Sequence, residues 1–173
     1  MLKGKQIYLR VVESEDIPTL LRWENNPENW KVSGTEVPYT EDEMKSFVAN
    51  HLPIQITGQL RFMITNFLEN IPIGTIDLFD ANFKNGYAGV GVLIAEKEFR
   101  NRGMASEALN LVIDYCSARL ELVHLHCSIH ADNESSIALF EKCGFEKIGT
   151  RKDWYLHNGE RIDEYLYQLC LKK

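Results

Sequence analysis

One junction in this chain restricts its fold more than any other feature: an apolar segment passes through a short turn directly into an amphipathic helix. The apolar segment is residues 90–95, and the turn runs from Phe99 to Gly103. Beyond the turn, small and apolar residues recur at helical spacing, at Ala105, Ala108, Leu109, Val112 and Cys116. This spacing predicts one buried stripe on a helix that reaches about Arg119. A strand therefore leads straight into a helix N-terminus.

The first turn of that helix is suited to an anion. Its backbone N–H groups have no intrahelical partner and lie at the positive end of the helix dipole. Gly103 lets the backbone approach a bound group closely, and Arg100 and Arg102 add positive charge. By itself, the turn is equally consistent with an ordinary strand-to-helix connection whose arginines are solvated.

The pattern Arg-x-x-Gly-x-Ala at residues 100–105 resembles the acetyl-CoA signature of the GNAT N-acetyltransferase superfamily. Residues 132–145 are similar to the second signature of that superfamily, with Asn133, a short helical stretch and Gly144-Phe145 before a strand. The two signatures occur in the expected order and spacing, and the resemblance covers nearly the whole chain. Within the superfamily, the resemblance is closest to the branch that contains ribosomal-protein N-terminal and polyamine acetyltransferases.

The resemblance implies that acetyl-CoA is the acyl donor. Main-chain groups of the apolar strand would pair with the pantetheine like an additional strand, with one N–H facing the thioester oxygen. The turn would hold the pyrophosphate, and the second signature would contact the cofactor nearby. The residues so assigned are Leu93, Ile94, Ala95, Arg100, Asn101, Arg102, Gly103, Met104, Ala105, Ser106, Asn133, Ser136 and Phe140. A core strand explains the first three equally well, and Asn133 also suits a helix N-cap.

Two departures from the family pattern concern proton transfer. Phe140 stands where many members of the superfamily have a tyrosine that protonates the departing thiolate, and phenylalanine has no proton to give. Water or a nearby hydroxyl, Ser135 or Ser136, would take that role, and a thiolate is a tolerable leaving group because thiol pKa values lie near ~8.5. Gly89 or Val90 stands where many relatives have a glutamate that takes a proton from the amine.

The carboxylates nearest to that strand by topology are Asp77 and Asp80. Alternation along a strand puts them on opposite faces, so at most one can face the cleft. A solvated strand carboxylate is the simpler role for either of them. As candidate catalytic residues we take Asp77, in place of the missing glutamate, and Ser136, in place of the missing tyrosine.

The remaining pattern predicts an α/β fold in one domain over residues 1–173, with a mixed, mostly antiparallel central sheet of about seven strands flanked by about four helices. An edge-like first strand is expected at residues 7–11, and a capping box at Thr40–Glu43 opens a helix. Between them, residues 26–39 are expected to form a long functional loop. It contains Pro27, Gly34 and Pro38, and its region carries Glu28, Glu36, Glu41 and Glu43, which could attract a polycation.

Composition narrows the functional classes. The net charge of −6 disfavours nonspecific nucleic-acid binding and is compatible with a cationic substrate. No apolar run approaches the roughly 20 residues of a membrane span, and the first residues lack a signal-peptide core, so we expect a cytoplasmic protein without membrane contact.

The four cysteines show no C-x-x-C spacing. Neither these nor the alternating His124, His126 and His130 suggest a metal site, since no acidic fourth ligand is evident.

The leading hypothesis is an acetyl-CoA-dependent N-acetyltransferase in which an amine attacks the thioester directly. The acceptor is a polyamine or a protein N-terminal amine, that is, a small-molecule or peptide amine. A noncatalytic acyl-CoA-binding or regulatory module is the alternative, because the tyrosine and the glutamate are missing. The sequence does not define the oligomeric state, although homodimers are common among proteins of this pattern.

Overall fold

The computed structural model describes residues 1–33, 35–49 and 52–171, and Gly34 of the expected loop lies outside them. Eight strands form one sheet in this part of the chain: β1 (Leu2–Lys3), β2 (Ile7–Val11), β3 (Leu60–Asn66), β4 (Pro72–Asn82), β5 (Tyr87–Ile94), β6 (His124–His130), β7 (Glu146–His157) and β8 (Glu160–Cys170). Their order is β1-β2-β3-β4-β5-β6-β8-β7. Among the described strands, only β5 and β6 are parallel neighbours.

Six α-helices occur in the described residues: α1 (Ile17–Glu24), α2 (Pro27–Ser33), α3 (Glu41–Ala49), α4 (Ile54–Thr57), α5 (Met104–Ala118) and α6 (Glu134–Lys142). Short 3-10 helices at Ser14–Asp16 and Lys97–Phe99 precede α1 and the turn before α5. The α/β class with one mixed sheet is confirmed. No helix of the described chain is long and apolar enough to cross a bilayer.

The expected numbers of about seven strands and four helices are wrong. β1 pairs with β2 through Leu2↔Leu9, so β2 is not an edge strand. Helix α2 lies inside the expected loop at residues 26–39, because Pro27 occupies its first position, where the missing N–H has no intrahelical role. The four-residue α4 follows Pro53 and ends at Gly58, whose φ is 70°. It is too short to carry a helical repeat in the sequence.

The two faces of the sheet have separate cores. On one face lies α5, whose predicted stripe is confirmed: Ala108, Leu109, Val112 and Cys116 are all buried. On the other face, Leu20 and Trp23 of α1 and Met44 and Val48 of α3 pack with Met63 of β3. Each fully buried side chain of this size contributes roughly 1.5–3 kcal/mol. Packing on both faces holds the central strands in place.

The parallel pair β5 and β6 separates along its length. Its pairing consists of Tyr87↔His124, Ala88↔Leu125 and Gly89↔His126. Beyond this point β5 stays paired with β4 as far as Ile94, and β6 stays paired with β8 as far as His130. Residues 90–94 of β5 are therefore held by β4, and residues 127–130 of β6 are held by β8. An open gap lies between these two facing edges. We call this gap the split.

Candidate functional site

The turn at the open end of the split leaves free space in front of α5. Gly103 is the N-cap of α5 and has a φ of 81°, which favours glycine. A Cβ built on Gly103 would meet no atom within 4 Å. Asn101 also has a positive φ, 59°. The helix N-terminus is thus open to an anion, which the unpaired N–H groups of its first turn would bind.

The two arginines of the turn have different surroundings. Arg100 donates from Nε to the Ile94 carbonyl at 2.8 Å, and from Nη2 to the Ala95 carbonyl at 3.1 Å and to Asn29 Oδ1 at 3.3 Å. Arg102 is exposed, and its guanidinium lies 5.6 Å from the centre of the Phe99 ring. Arg102 is therefore exposed at the turn, whereas Arg100 fixes the end of β5.

Of the strand residues assigned to the pantetheine, Ala95 is the least available. Its N–H already donates to the Ile73 carbonyl at 2.9 Å, so it cannot bind a thioester oxygen without losing that bond. Leu93 is half-buried and Ile94 is buried, both on the stretch of β5 that borders the split. The dual role expected from the sequence, core strand and cofactor edge, is compatible with this position for Leu93 and Ile94.

The second signature forms α6 and the turn before it. Asn133 Oδ1 accepts hydrogen bonds from the Ser136 N–H at 3.2 Å and from Ser135 Oγ at 3.0 Å, so Asn133 is the N-cap of α6. Phe140 is buried and packs edge-on against Phe145 at 5.0 Å. It therefore belongs to the core. Ser136 is half-buried at the first turn of the helix.

The first turn of α5 lies close to the C-terminal end of α6. Ser106 Oγ is 3.4 Å from Cys143 Sγ at the end of α6. Met104 is buried and Ala105 is half-buried, so these two side chains anchor the helix start. The start of α5, in the first signature, and the end of α6, in the second, are thus in contact.

A polar cluster that the sequence did not indicate lies on the face of the sheet covered by α1 and α3. Arg61 of β3 binds Asp77 of β4 through Nε–Oδ1 at 2.5 Å, and donates from Nη1 to Glu24 Oε1 of α1 at 2.7 Å. Burial raises the pKa of the Asp77 carboxyl, and the neighbouring guanidinium opposes this shift. The register places Asp77 opposite Gly91 of β5, beside the split. We call Glu24, Arg61 and Asp77 the acidic cluster.

A cavity of about 920 Å³ adjoins this cluster. Its walls include Phe47, Ile54, Arg61, Asp77, Phe79 and Gly91. Arg61 lies over the Phe47 ring at 5.1 Å. Asp77 is thus on the cavity, as expected of a cleft carboxylate, but it is ion-paired. Asp80 is exposed, with a φ of 48°.

The position of the missing glutamate has a packing explanation. A Cβ on Gly89 would lie 2.2 Å from Cε2 of Phe79, because the phenyl ring covers this glycine. The same ring lies edge-on to His126, with ring centres 6.2 Å apart, and His126 also contacts Tyr87. Partial burial lowers the pKa of His126, against the effect of the Asp80 carboxylate. A side chain at position 89 would clash with the Phe79 ring unless the ring moved.

The acidic residues of the expected loop region are largely engaged with neighbours. Glu28 binds Lys97 and Glu41 binds Lys45, each at 2.6 Å. Glu43 accepts from the Thr40 N–H at 2.8 Å, which confirms the capping box. These exposed carboxylates already have a lysine or a backbone N–H as partner. This weakens the interpretation that the segment attracts a polycation.

Two histidines of β6 and two buried cysteines have surroundings that the structure defines. His124 and His130 contact Gln168 and Tyr155 respectively. No group of three potential metal ligands is found in the part of the chain that the structure describes. Burial raises the pKa of Cys116 and Cys127 to about 12, which keeps both thiols protonated at neutral pH.

Comparison with known proteins agrees with this geometry. The model of the acetyltransferase (GNAT) domain family matches residues 6–146. The spermidine N(1)-acetyltransferase of Vibrio cholerae is 27% identical over 161 residues, which cover 92% of this chain and 90% of the relative. The L-amino acid N-acetyltransferase of Escherichia coli K12 is 26% identical over 162 residues, covering 92% and 95%.

Solved structures share the fold. The crystal structure of spermidine N-acetyltransferase from Vibrio cholerae in complex with CoA and spermine superposes with a TM-score of 0.86 over 97% of both chains, at 24% identity. A GNAT-family acetyltransferase from Bacillus anthracis gives 0.81 over 99% of both chains, at 23% identity. At these identities the likeness establishes the fold alone.

Proposed function

The chain belongs to the GNAT acetyltransferase family and is an N-acetyltransferase that uses acetyl-CoA; we propose that its acceptor is a small cationic amine, with a polyamine as the first candidate. The acceptor nitrogen attacks the thioester carbon directly, and the CoA thiolate leaves. An N-terminal amine of a peptide is the second candidate acceptor.

The donor half of this proposal rests on the split and the turn. An extended pantetheine needs unpaired main-chain groups along its length, and residues 90–94 border such an edge. A pyrophosphate needs positive charge and space, which exposed Arg102 and the open helix N-terminus at Gly103 supply. The two requirements are met at adjoining places in the order in which CoA carries these groups.

The acceptor half rests on the charge of the acidic cluster. Glu24 and Asp77 are two carboxylates against the single guanidinium of Arg61, so the cluster favours a cation. An amino-acid acceptor would need a free cation for its carboxylate, and Arg61 already binds two carboxylates. The adjoining cavity has the size of a small-molecule site, which is typically about 300–1,000 Å³. Asp77 beside Gly91 is the single observation that links this charge to the split.

We propose that Asp77 and Ser136 carry out proton transfer in this arrangement. Asp77 would accept a proton from the ammonium form of the acceptor, aided by a pKa that burial raises. Ser136, or water beside it, would protonate the thiolate, because Phe140 is buried and has no proton to give. We expect both effects to be modest, since a thiolate leaves without strong acid assistance.

The test is a free-thiol assay with acetyl-CoA and a panel of spermidine, spermine, an N-terminal peptide, an aminoglycoside and an L-amino acid. We expect amine-dependent thiol release with the polyamines. Glu24→Gln should raise the KM for spermidine about tenfold, equivalent to about 1.4 kcal/mol, without changing the affinity for CoA. Glu41→Gln is the matched control, because Glu41 forms an exposed ion pair with Lys45.

A noncatalytic CoA-binding module is the competing function, favoured by Phe140 in the core and by the Phe79 ring over Gly89. It predicts tight CoA binding without thiol release for every amine in the panel. Release with any one of them excludes it.

A further inference from the structure

The acceptor cavity ends at one aromatic ring. Phe79 and Gly91 line the cavity, whereas Gly89, Tyr87 and His126 do not. The Phe79 ring covers Gly89 and lies edge-on to His126, so it occupies the place that a side chain on Gly89 would take. At this end of the cavity, the bulk therefore comes from Phe79 of β4 and not from β5.

Neighbouring residues hold the ring in this position. Phe79 pairs with Gly89 across β4 and β5, and Asp77, two residues earlier on the same face, pairs with Gly91. The atoms Cδ2, Cε2 and Cζ all lie within 2.6 Å of the place where a Cβ on Gly89 would be. Cε1 lies 3.8 Å from the corresponding place on Gly91. The ring thus extends along β5 from Gly89 toward the carboxylate that faces the split.

We propose that Phe79 is a specificity-determining residue that closes the acceptor cavity and restricts the acceptor to slim, unbranched primary amines. This inference rests on the proposed function, since it defines the acceptor of the same site. A linear aminoalkyl chain fits beside the ring and the acidic cluster. An amine with a ring or a branch near the reacting nitrogen needs the space that Phe79 occupies.

The geometry also indicates how the selectivity can be removed and restored. Phe79→Ala opens the cavity toward Gly89 and His126. Adding Gly89→Val to that variant places side-chain atoms from β5 into the region that the ring had filled. Since the bulk then comes from a different strand, recovery of selectivity reports on the occupied space and not on the phenylalanine itself.

The experiment measures kcat/KM for spermidine and for 2-phenylethylamine in the wild type, F79A and F79A/G89V, with CoA affinity as the check of folding. We expect F79A to lower the spermidine preference about tenfold or more, the usual effect of changing a hydrophobic pocket by one or two groups, and F79A/G89V to restore it. Ile148→Ala, at an exposed position of β7 that does not line the cavity, should leave the preference unchanged. Should F79A lose CoA binding, Phe79→Leu replaces it, with a smaller shift in the same direction.

Three results overturn the inference. The first is an unchanged preference in folded F79A or F79L. The second is an altered preference that G89V does not restore, since the cause is then loosened packing. The third is an equal shift in I148A. A wild type without thiol release for any amine is a different result, because it removes the proposed function itself.

Discussion

Gly103 and Gly159 have almost the same left-handed backbone conformation, with φ of 81° and 83°, and a Cβ on either would meet no atom within 4 Å. One precedes α5, and the other lies in the turn between β7 and β8. An alanine at either position therefore carries the same backbone strain, of order 1 kcal/mol. The two glycines form a matched pair for separating strain from ligand contact.

We expect Gly103→Ala and Gly159→Ala to lower the free energy of unfolding by similar amounts. Only Gly103→Ala should weaken CoA binding, because its methyl group points into the space assigned to the pyrophosphate. Urea denaturation and calorimetric titration with CoA measure the two effects. Equal CoA affinity in both variants would place the pyrophosphate elsewhere.

Substitutions of the two arginines of the turn should have different effects in the same assays. Arg102→Ala should weaken CoA binding about tenfold, the loss of one charge-assisted hydrogen bond to phosphate, with little change in stability. Arg100→Ala should destabilise the fold by about 1.5–3 kcal/mol, because it leaves the Ile94 and Ala95 carbonyls without their donor. Similar effects of the two substitutions on stability would contradict the distinction.

Gly89 and Gly91 differ in the space above them. Gly89→Ala should destabilise the protein by about 1–3 kcal/mol through overpacking against Phe79, whereas Gly91→Ala, whose Cβ has 3.8 Å to the same ring, should cost less. Thermal unfolding of both variants tests this. If the cost of Gly89→Ala remains after Phe79→Ala is added, the ring is not its cause.

Asp16 should make the stability dependent on pH in the acid range. Although burial acts to raise it, hydrogen bonds from Arg10 and from the Glu13 N–H lower the pKa of the Asp16 carboxyl. A folded-state pKa below the unfolded value of about 3.9 stabilises the protein above that pH, and this contribution is lost as the pH falls through the folded-state pKa.

Asp16→Asn should therefore destabilise the protein at pH 7 by about 1–3 kcal/mol, and its difference from the wild type should shrink below about pH 4. Urea denaturation at several pH values measures it. Glu41→Gln, in an exposed ion pair, should leave the stability almost unchanged. A pH-independent difference for Asp16→Asn would show that packing, not charge, is lost.

Local signals in the sequence were accurate where the interaction spans a few residues. The stripe of α5, the Thr40–Glu43 capping box and the N-cap Asn133 are confirmed because each depends on neighbours within one or two helical turns. Helix α2 was missed because Pro27 and Pro38 suggest a loop, although proline is compatible with a helix start.

The sequence by itself determined the order of strand, turn and helix, the prediction of an anion site at the Gly103 turn and the resemblance to an acetyl-CoA enzyme, since all of these depend on contiguous residues. Only the tertiary structure decided that Arg61 gathers Glu24 and Asp77 from two other elements, that Phe79 covers Gly89, and that β5 and β6 separate beyond Gly89. These relationships depend on strand register and on packing between residues distant in the chain, which no local pattern encodes.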